Sequence, residues 1–312
     1  MSATRPIVIN PELTGIAIAA PIGNVIADQV LPDVKVTSEA YKWNEYPFEQ
    51  GVTVPDTKVG RTSEVKRVEF GGVERDGSVD DHGLEDPVPK TDQTANSQMD
   101  PKAMATELTS QLVTLAREIR VRDIVFNTAS YLPSQITSYA ADAGWYDPDS
   151  DPLGDFEDAY GKMIVKPNTL TIGEDGLLAL RKHPKLIKAA RSANSTGEGR
   201  LTMAELMELL RVKTILVGEA QVNYKVQGQA PVIAPCWSTH ASLTYVERLV
   251  KNNKAFTFGS TFRLTDKQAW EYFDPRTGLE GSDVIRVGER LKEQVVAKQA
   301  GWFFQNAAAP PA

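Results

Sequence analysis

The chain has a single cysteine, Cys236, and only three histidines, His82, His183 and His240, among 312 residues. One thiol excludes an internal disulfide and any zinc site built on several thiolates, and the three imidazoles are too scattered to form a cluster. Long apolar runs are also missing. No window approaches the roughly 18 uninterrupted apolar residues of a membrane-spanning helix. No basic segment followed by a long apolar one opens the chain, so a secretory signal is not expected. Catalytic motifs are equally scarce. There is no G-x-S-x-G, and Gly161-Lys162 lacks a P-loop glycine before it and has Met163 after it. Gly197-Glu198-Gly199 begins a dinucleotide fingerprint, but Thr202 stands where the third glycine belongs.

Charge is present but uneven. Residues 1–100 hold 9 Lys+Arg against 17 Asp+Glu, and these account for a formal net charge of −7 on the whole chain. That excludes a globally basic nucleic-acid binder and marks the first third as a separate piece. Pro6, Pro11, Pro21, Pro32, Pro47 and Pro55 forbid a long helix there. The apolar runs between them, Gly15–Ala19 and Val25–Leu31, require burial but are too few for a core. They predict an extended arm lying on something else.

From Arg61 to about Leu84 the pattern predicts strands, with Gly71-Gly72 as a hairpin between Glu64–Phe70 and Val73–Arg75. Glu74 to Asp92 holds seven carboxylates and two basic residues and predicts a solvated loop. Asp100-Pro101 is an N-cap followed by a first-turn proline, opening a helix to Phe126 of ~39 Å. Met104, Leu108, Leu112, Leu115 and Ile119 form its apolar stripe, which places Leu108 and Leu112 in a core. Gly144–Asp149 is a break. An α/β unit over 164–218 follows, with strand Leu170–Gly173, helix Glu174–His183, a capping box at Thr202 and Glu205, and strand Thr214–Gly218. The tail predicts strands at Phe256–Phe262, Asp283–Val287 and Trp302–Phe304, with a turn at Asp274–Gly278.

Three clusters invite a chemical reading. Asp147, Asp149 and Asp151 begin like a calcium loop, but Pro152 and Asp158 occupy the positions that need glycine and a bidentate glutamate. Asp151-Pro152 is better placed at the start of a helix through Tyr160. Cys236 and His240 are a thiol and an imidazole without a nucleophile turn, and a lone cysteine is more often a small buried hydrophobe. Arg181, Lys182, Lys185, Lys188 and Arg191 form a basic stretch without interleaved aromatics, which predicts a solvated face or a rim. No catalytic, cofactor-binding or metal residue is assigned, and no cofactor is expected. The balance favours a structural protein.

The order of the pieces carries a resemblance. Ile26–Val36 resembles a capsid arm motif, and His82–Pro89 the run from hairpin to long helix. Arg117–Val121 with Phe126-Asn127 is similar to that helix's distal half. Pro167–Leu170, Leu180–Pro184 and Leu216–Gly218 resemble an inserted α/β piece, and Phe258–Phe262 with Ala300–Trp302 a β-rich return. Together they resemble the major capsid protein of tailed bacteriophages, a family with the Hong Kong ninety-seven fold that also includes encapsulin shells. The resemblance implies an α+β fold with an N-terminal arm over 1–46 and an extended β-hairpin loop over 47–97. It implies a peripheral domain with a long spine helix over 98–145, completed by 257–312, and an axial domain over 146–256.

The same resemblance implies self-assembly into hexamers and pentamers of an icosahedral head enclosing double-stranded DNA, without sequence-specific binding and without a membrane. An encapsulin-type nanocompartment is the alternative. Assembly in the host bacterial cytoplasm, a portal and a decoration protein are implied too. A separate scaffolding protein is expected because no long scaffolding segment precedes the arm. The acidic first third is expected to meet basic residues across subunit contacts. No residues match the covalent Lys–Asn mesh of some relatives.

Overall fold

A computed structural model describes residues 24–45, 50, 52–65, 67–69, 71–95, 100–140, 143–191, 199–225, 228–247 and 256–309. The run Gly15–Ala19 and Gly197-Glu198 lie outside them. The described chain enters through one helical turn, α1 (Ala27–Val30), and a short strand, β1 (Asp33–Lys35). β2 (Ala40–Glu45) and β3 (Val73–Ser78) pair antiparallel, and β4 (Asp80–Pro89) leads through α2 (Lys90–Ala95) to the long helix α3 (Pro101–Val125). β5 (Ile136–Ser138), α4 (Pro152–Lys162), β6 (Thr169–Gly173), α5 (Glu174–Lys182), α6 (Pro184–Arg191), α7 (Met203–Leu209) and β7 (Thr214–Gly218) follow. The chain closes with β8 (Gln221–Asn223), β9 (Ile233–Pro235), β10 (Thr239–Thr244), β11 (Gly259–Asp274), β12 (Ser282–Val295) and β13 (Gly301–Ala308).

Two larger sheets result. One has the order β1-β11-β12-β4, with β1 parallel to β11 and the rest antiparallel. The other has the order β5-β13-β10-β6-β7. It is covered by α4 to α7 over a core containing Trp145, Phe156, Leu170, Ile172, Leu180 and Phe304. Trp145, Phe156 and Phe304 meet ring to ring at 5.2–5.6 Å, which adds directional packing to the apolar burial.

Local signals hold where they act within a few residues. The Asp100 side chain accepts from Lys102 N, and Pro101 starts α3. Thr202 and Glu205 make the reciprocal capping box of α7. Asp274 Oδ1 accepts from Arg276 N and Oδ2 from Thr277 Oγ1, shaping the turn between β11 and β12. Those two strands run longer than expected because they pair along nearly their whole length.

Three expectations need correction. Gly71-Gly72 is not a hairpin: residues 64, 65 and 67–69 form no strand, and β3 pairs with β2 across the sequence instead. The acidic run Glu74 to Asp92 is not a loop but contains most of β3 and all of β4. β4 can be a strand despite its charge because it borders β12, whose arginines face its carboxylates. Leu108 and Leu112 are not core residues: they are 47% and 55% exposed, with Met104 at 49%. α3 instead buries Ala105, Thr106, Thr109, Ser110 and Val113 against the sheet of β4 and β12. Small side chains let the helix approach the sheet closely, and the hydroxyls keep partners: Thr106 Oγ1 donates to Lys102 O at 2.7 Å, and Lys267 Nζ donates to Ser110 Oγ at 2.7 Å. Part of the acidic first third finds partners within the subunit. Asp33, Asp80, Asp81 and Glu85 pair with Arg263, Lys292, Arg290 and Arg286 of the same chain.

Candidate functional site

A recess of about 330 Å³ at the end of α3 brings Cys236 and His240 to one wall, together with Arg122, Asp123 and Phe126. It is not equipped for thiol chemistry. Burial pushes the Cys236 thiol up to about 11, so the thiolate is scarce at neutral pH. His240 Nδ1 accepts from Asn306 N at 2.9 Å, which commits that nitrogen to the backbone, and burial lowers the ring's pKa. Of the aspartates of the broken calcium loop, Asp147 is engaged locally, and Asp151 precedes α4 without a side-chain cap bond. Asp147 Oδ1 accepts from Asp149 N, and the Asp147 carbonyl accepts from His183 Nε2. Among the described residues no group of three His, Cys, Asp or Glu side chains could hold a metal ion. No described helix is long and apolar enough to cross a membrane. In the basic stretch, Arg181, Lys185 and Arg191 donate to the carbonyls of Leu201, Asp149 and Arg200.

A densely built charged site lies where α1 and β1 meet α3. Glu118 is fully buried and accepts from Ile26 N and Ala27 N at 2.9 Å each, and from Trp237 Nε1 at 2.6 Å. Burial raises its pKa against the pull of those three donors. One residue earlier, Arg117 pairs with Asp28 and, at 3.2 Å, with Asp33. Arg263 on β11 lies between Asp33 and Glu289, both at 2.8 Å, while Arg120 holds Glu293 at 2.9 Å. Ile26, Ala27, Val30 and Leu31 fill the apolar side of the same junction, against Val121, Val125 and Trp237. The site fastens the entering chain to the spine and the sheet. Sequence reasoning missed it; the signal available was the charged Arg117-Glu118-Ile119-Arg120 interrupting an apolar helix.

Elsewhere the chain presents exposed apolar surface. The described residues of 53–72 are all exposed and belong to no helix or strand, and Val54, Val59, Val65 and Val68 are among them. At the β11–β12 turn Leu279 is fully exposed beside a half-exposed Phe273. Such surface is what contacts between chains bury.

No protein-family model matches the chain. The major capsid protein of Pseudomonas phage JBD67 is 41% identical over 308 residues, 98% of this chain and 99% of that protein. The major capsid protein of Burkholderia phage BcepMu is 27% identical over 220 residues, 68% and 69% of the two chains. Among solved structures, a phage-related protein from Bordetella bronchiseptica RB50 superposes with a TM-score of 0.74 at 23% identity, covering 99% of this chain and all of that one. The capsid of cyanophage P-SCSP1u gives 0.55 at 10% identity, over 88% and 86%. The fold is the α+β capsid fold of the Hong Kong ninety-seven type, and the chain belongs to the family of bacteriophage major capsid proteins.

Proposed function

We propose that this chain assembles into hexamers and pentamers of an icosahedral head that encloses the double-stranded DNA of a tailed phage. The exposed, valine-bearing segment 53–72 carries the reading: such a stretch gains order by lying across another copy. In this reading residues 1–46 are the arm and 47–97 the extended loop. Residues 98–145 with 257–312 make the peripheral domain, and 146–256 the axial domain. The head forms in the host cytoplasm with a separate scaffolding protein, a portal and a decoration protein as partners. The shell touches DNA without reading its sequence, in keeping with a net charge of −7. It performs no catalysis; the protonated Cys236 thiol supports this.

Expression of the chain with its phage's assembly proteins, followed by negative-stain microscopy, tests the proposal. Closed particles containing nuclease-protected DNA are expected. Particles filled with a protein cargo would favour a cellular compartment instead, and a persistent monomer would overturn assembly altogether. Because one lone buried cysteine cannot build a network, purified particles boiled in detergent should run as one band with or without reductant. A ladder that survives reductant would reveal covalent linkage.

A further inference from the structure

We propose that the outward face of α5 and α6 is a contact for the phosphate backbone of double-stranded DNA. This rests on the reading of the chain as the wall of a DNA-filled head, and it names the surface through which that wall touches its contents.

α5 ends on Arg181 and Lys182, and α6 carries Lys185, Lys188 and Arg191. The stretch 181–191 thus holds five cations and no carboxylate, in a chain whose formal net charge is −7. Packing turns these charges outward. Leu186 and Ile187 are fully buried in the core under α6, so Lys185, Lys188 and Arg191, three positions apart, fall on its exposed side. Lys182 is exposed where the two helices join, and the exposed Arg200 lies beside them, its carbonyl accepting from Arg191.

The lysines of this face remain unneutralised, unlike the cations of the β-sheet region. There Lys102, Arg263, Arg286, Arg290 and Lys292 each pair with a carboxylate. Among the described residues no carboxylate pairs with Lys182, Lys185 or Lys188, and Lys185 is held only by the carbonyl of Asp149 at 2.6 Å. Concentrated positive charge turned to solvent attracts a polyanion.

Two features select DNA over an acidic protein. No large apolar side chain of α5 or α6 is exposed, so a protein partner would find no anchor on which binding energy concentrates. A duplex needs none, because its charges follow one another every ~1.7 Å along the axis and are met by point charges. From Lys185 to Arg191 the helix rises ~9 Å, enough to face several of them. The row is also mostly lysine, without the Asn or Gln that reads base edges. It therefore meets the backbone and not the sequence.

Full-length free subunits are titrated onto a fluorescent duplex of arbitrary sequence, and binding is followed by anisotropy at rising salt. The wild-type chain should bind at low salt and release as salt rises. In the Lys182→Gln, Lys188→Gln variant neither replaced group donates to a described residue, so the fold is kept. Its affinity should fall several-fold, with a log–log salt slope shallower by about two. Lys182→Arg, Lys188→Arg should bind like the wild type. Lys213→Gln, Lys225→Gln removes the same charge from exposed positions elsewhere and should leave binding unchanged. Equal losses in the two Gln variants, or no binding by the wild-type chain, would overturn the proposal. So would displacement of the duplex by poly-glutamate as effective as by unlabelled DNA at equal charge. Because subunits are measured, failure here leaves shell formation standing, and failure to form shells leaves this result in place.

Discussion

At the scale of single residues, Glu118 and Asp283 hold the most informative positions. Replacing Glu118 with Ala strands two backbone donors and an indole donor in the interior, at about 1–3 kcal/mol for each donor left unpaired. Urea unfolding of subunits should show that loss, while Glu118→Gln, which keeps one acceptor oxygen, should recover part of it. Lys35→Ala, which removes an exposed pair with Asp266, should change stability by only about 0–1 kcal/mol. Similar losses for Glu118→Ala and Lys35→Ala would contradict the assigned role. Asp283 behaves in the opposite sense to Glu118. Burial works against its charge, but hydrogen bonds from Lys102, Lys90 and Gln93 outweigh it and bring its pKa down to about 2 from the ordinary 3.8. A depressed carboxyl pKa gives stability that is complete above the unfolded value and lost as pH falls through the folded one. The thermal midpoint should therefore drop between about pH 4 and pH 2. Asp283→Asn should flatten that part of the profile, and an unchanged slope would count against the network.

At the scale of elements, β6 and β7 end on glycines that are register partners, Gly173 and Gly218. Both make room for Trp237. A Cβ on Gly173 would sit 1.7 Å from the Trp237 carbonyl oxygen, and one on Gly218 would sit 2.1 Å from the Trp237 ring. The same tryptophan donates to Glu118 and stacks edge-on against Phe126 at 5.1 Å, so the strand ends and the spine share one side chain. Gly218→Ala should cost about 1–3 kcal/mol or more through overpacking. It should also alter tryptophan fluorescence; a variant with wild-type stability and spectrum would contradict this packing.

At the scale of the molecule, the entering chain and the extended segment differ in what holds them. Residues 24–35 are pinned within the subunit by Glu118, by Arg117 and Arg263, and by β1 pairing with β11. The described residues of 53–72 have no comparable support. Brief trypsin treatment of free subunits should therefore cut at Lys58, Arg61 or Arg67 before Lys35, and assembled particles should resist at all four. Early cleavage at Lys35, or equal resistance in both states, would oppose this division. Because Asp33, Asp80, Asp81 and Glu85 pair with arginines and a lysine of the same chain, salt acts on subunit stability as well as on contacts between subunits.

The amino-acid sequence by itself determined what depends on neighbours along the chain. The Asp100-Pro101 start of α3, the Thr202–Glu205 box and the turn at Asp274 are set by hydrogen bonds spanning two or three residues. The long helix, the α/β piece and the β-rich return were legible too, and with them the capsid family. What tertiary structure alone decided is which of two faces α3 buries, the pairing of β2 with β3, the strand nature of the acidic β4, and the charged junction at Glu118. Each joins residues far apart in sequence: Ile26 meets Glu118 across 92 positions, and Arg263 meets Asp33 across 230. Spacing reports that a helix has an apolar stripe. Whether that stripe or the small-residue face lies inward is set by how closely a sheet from the far end of the chain can approach it.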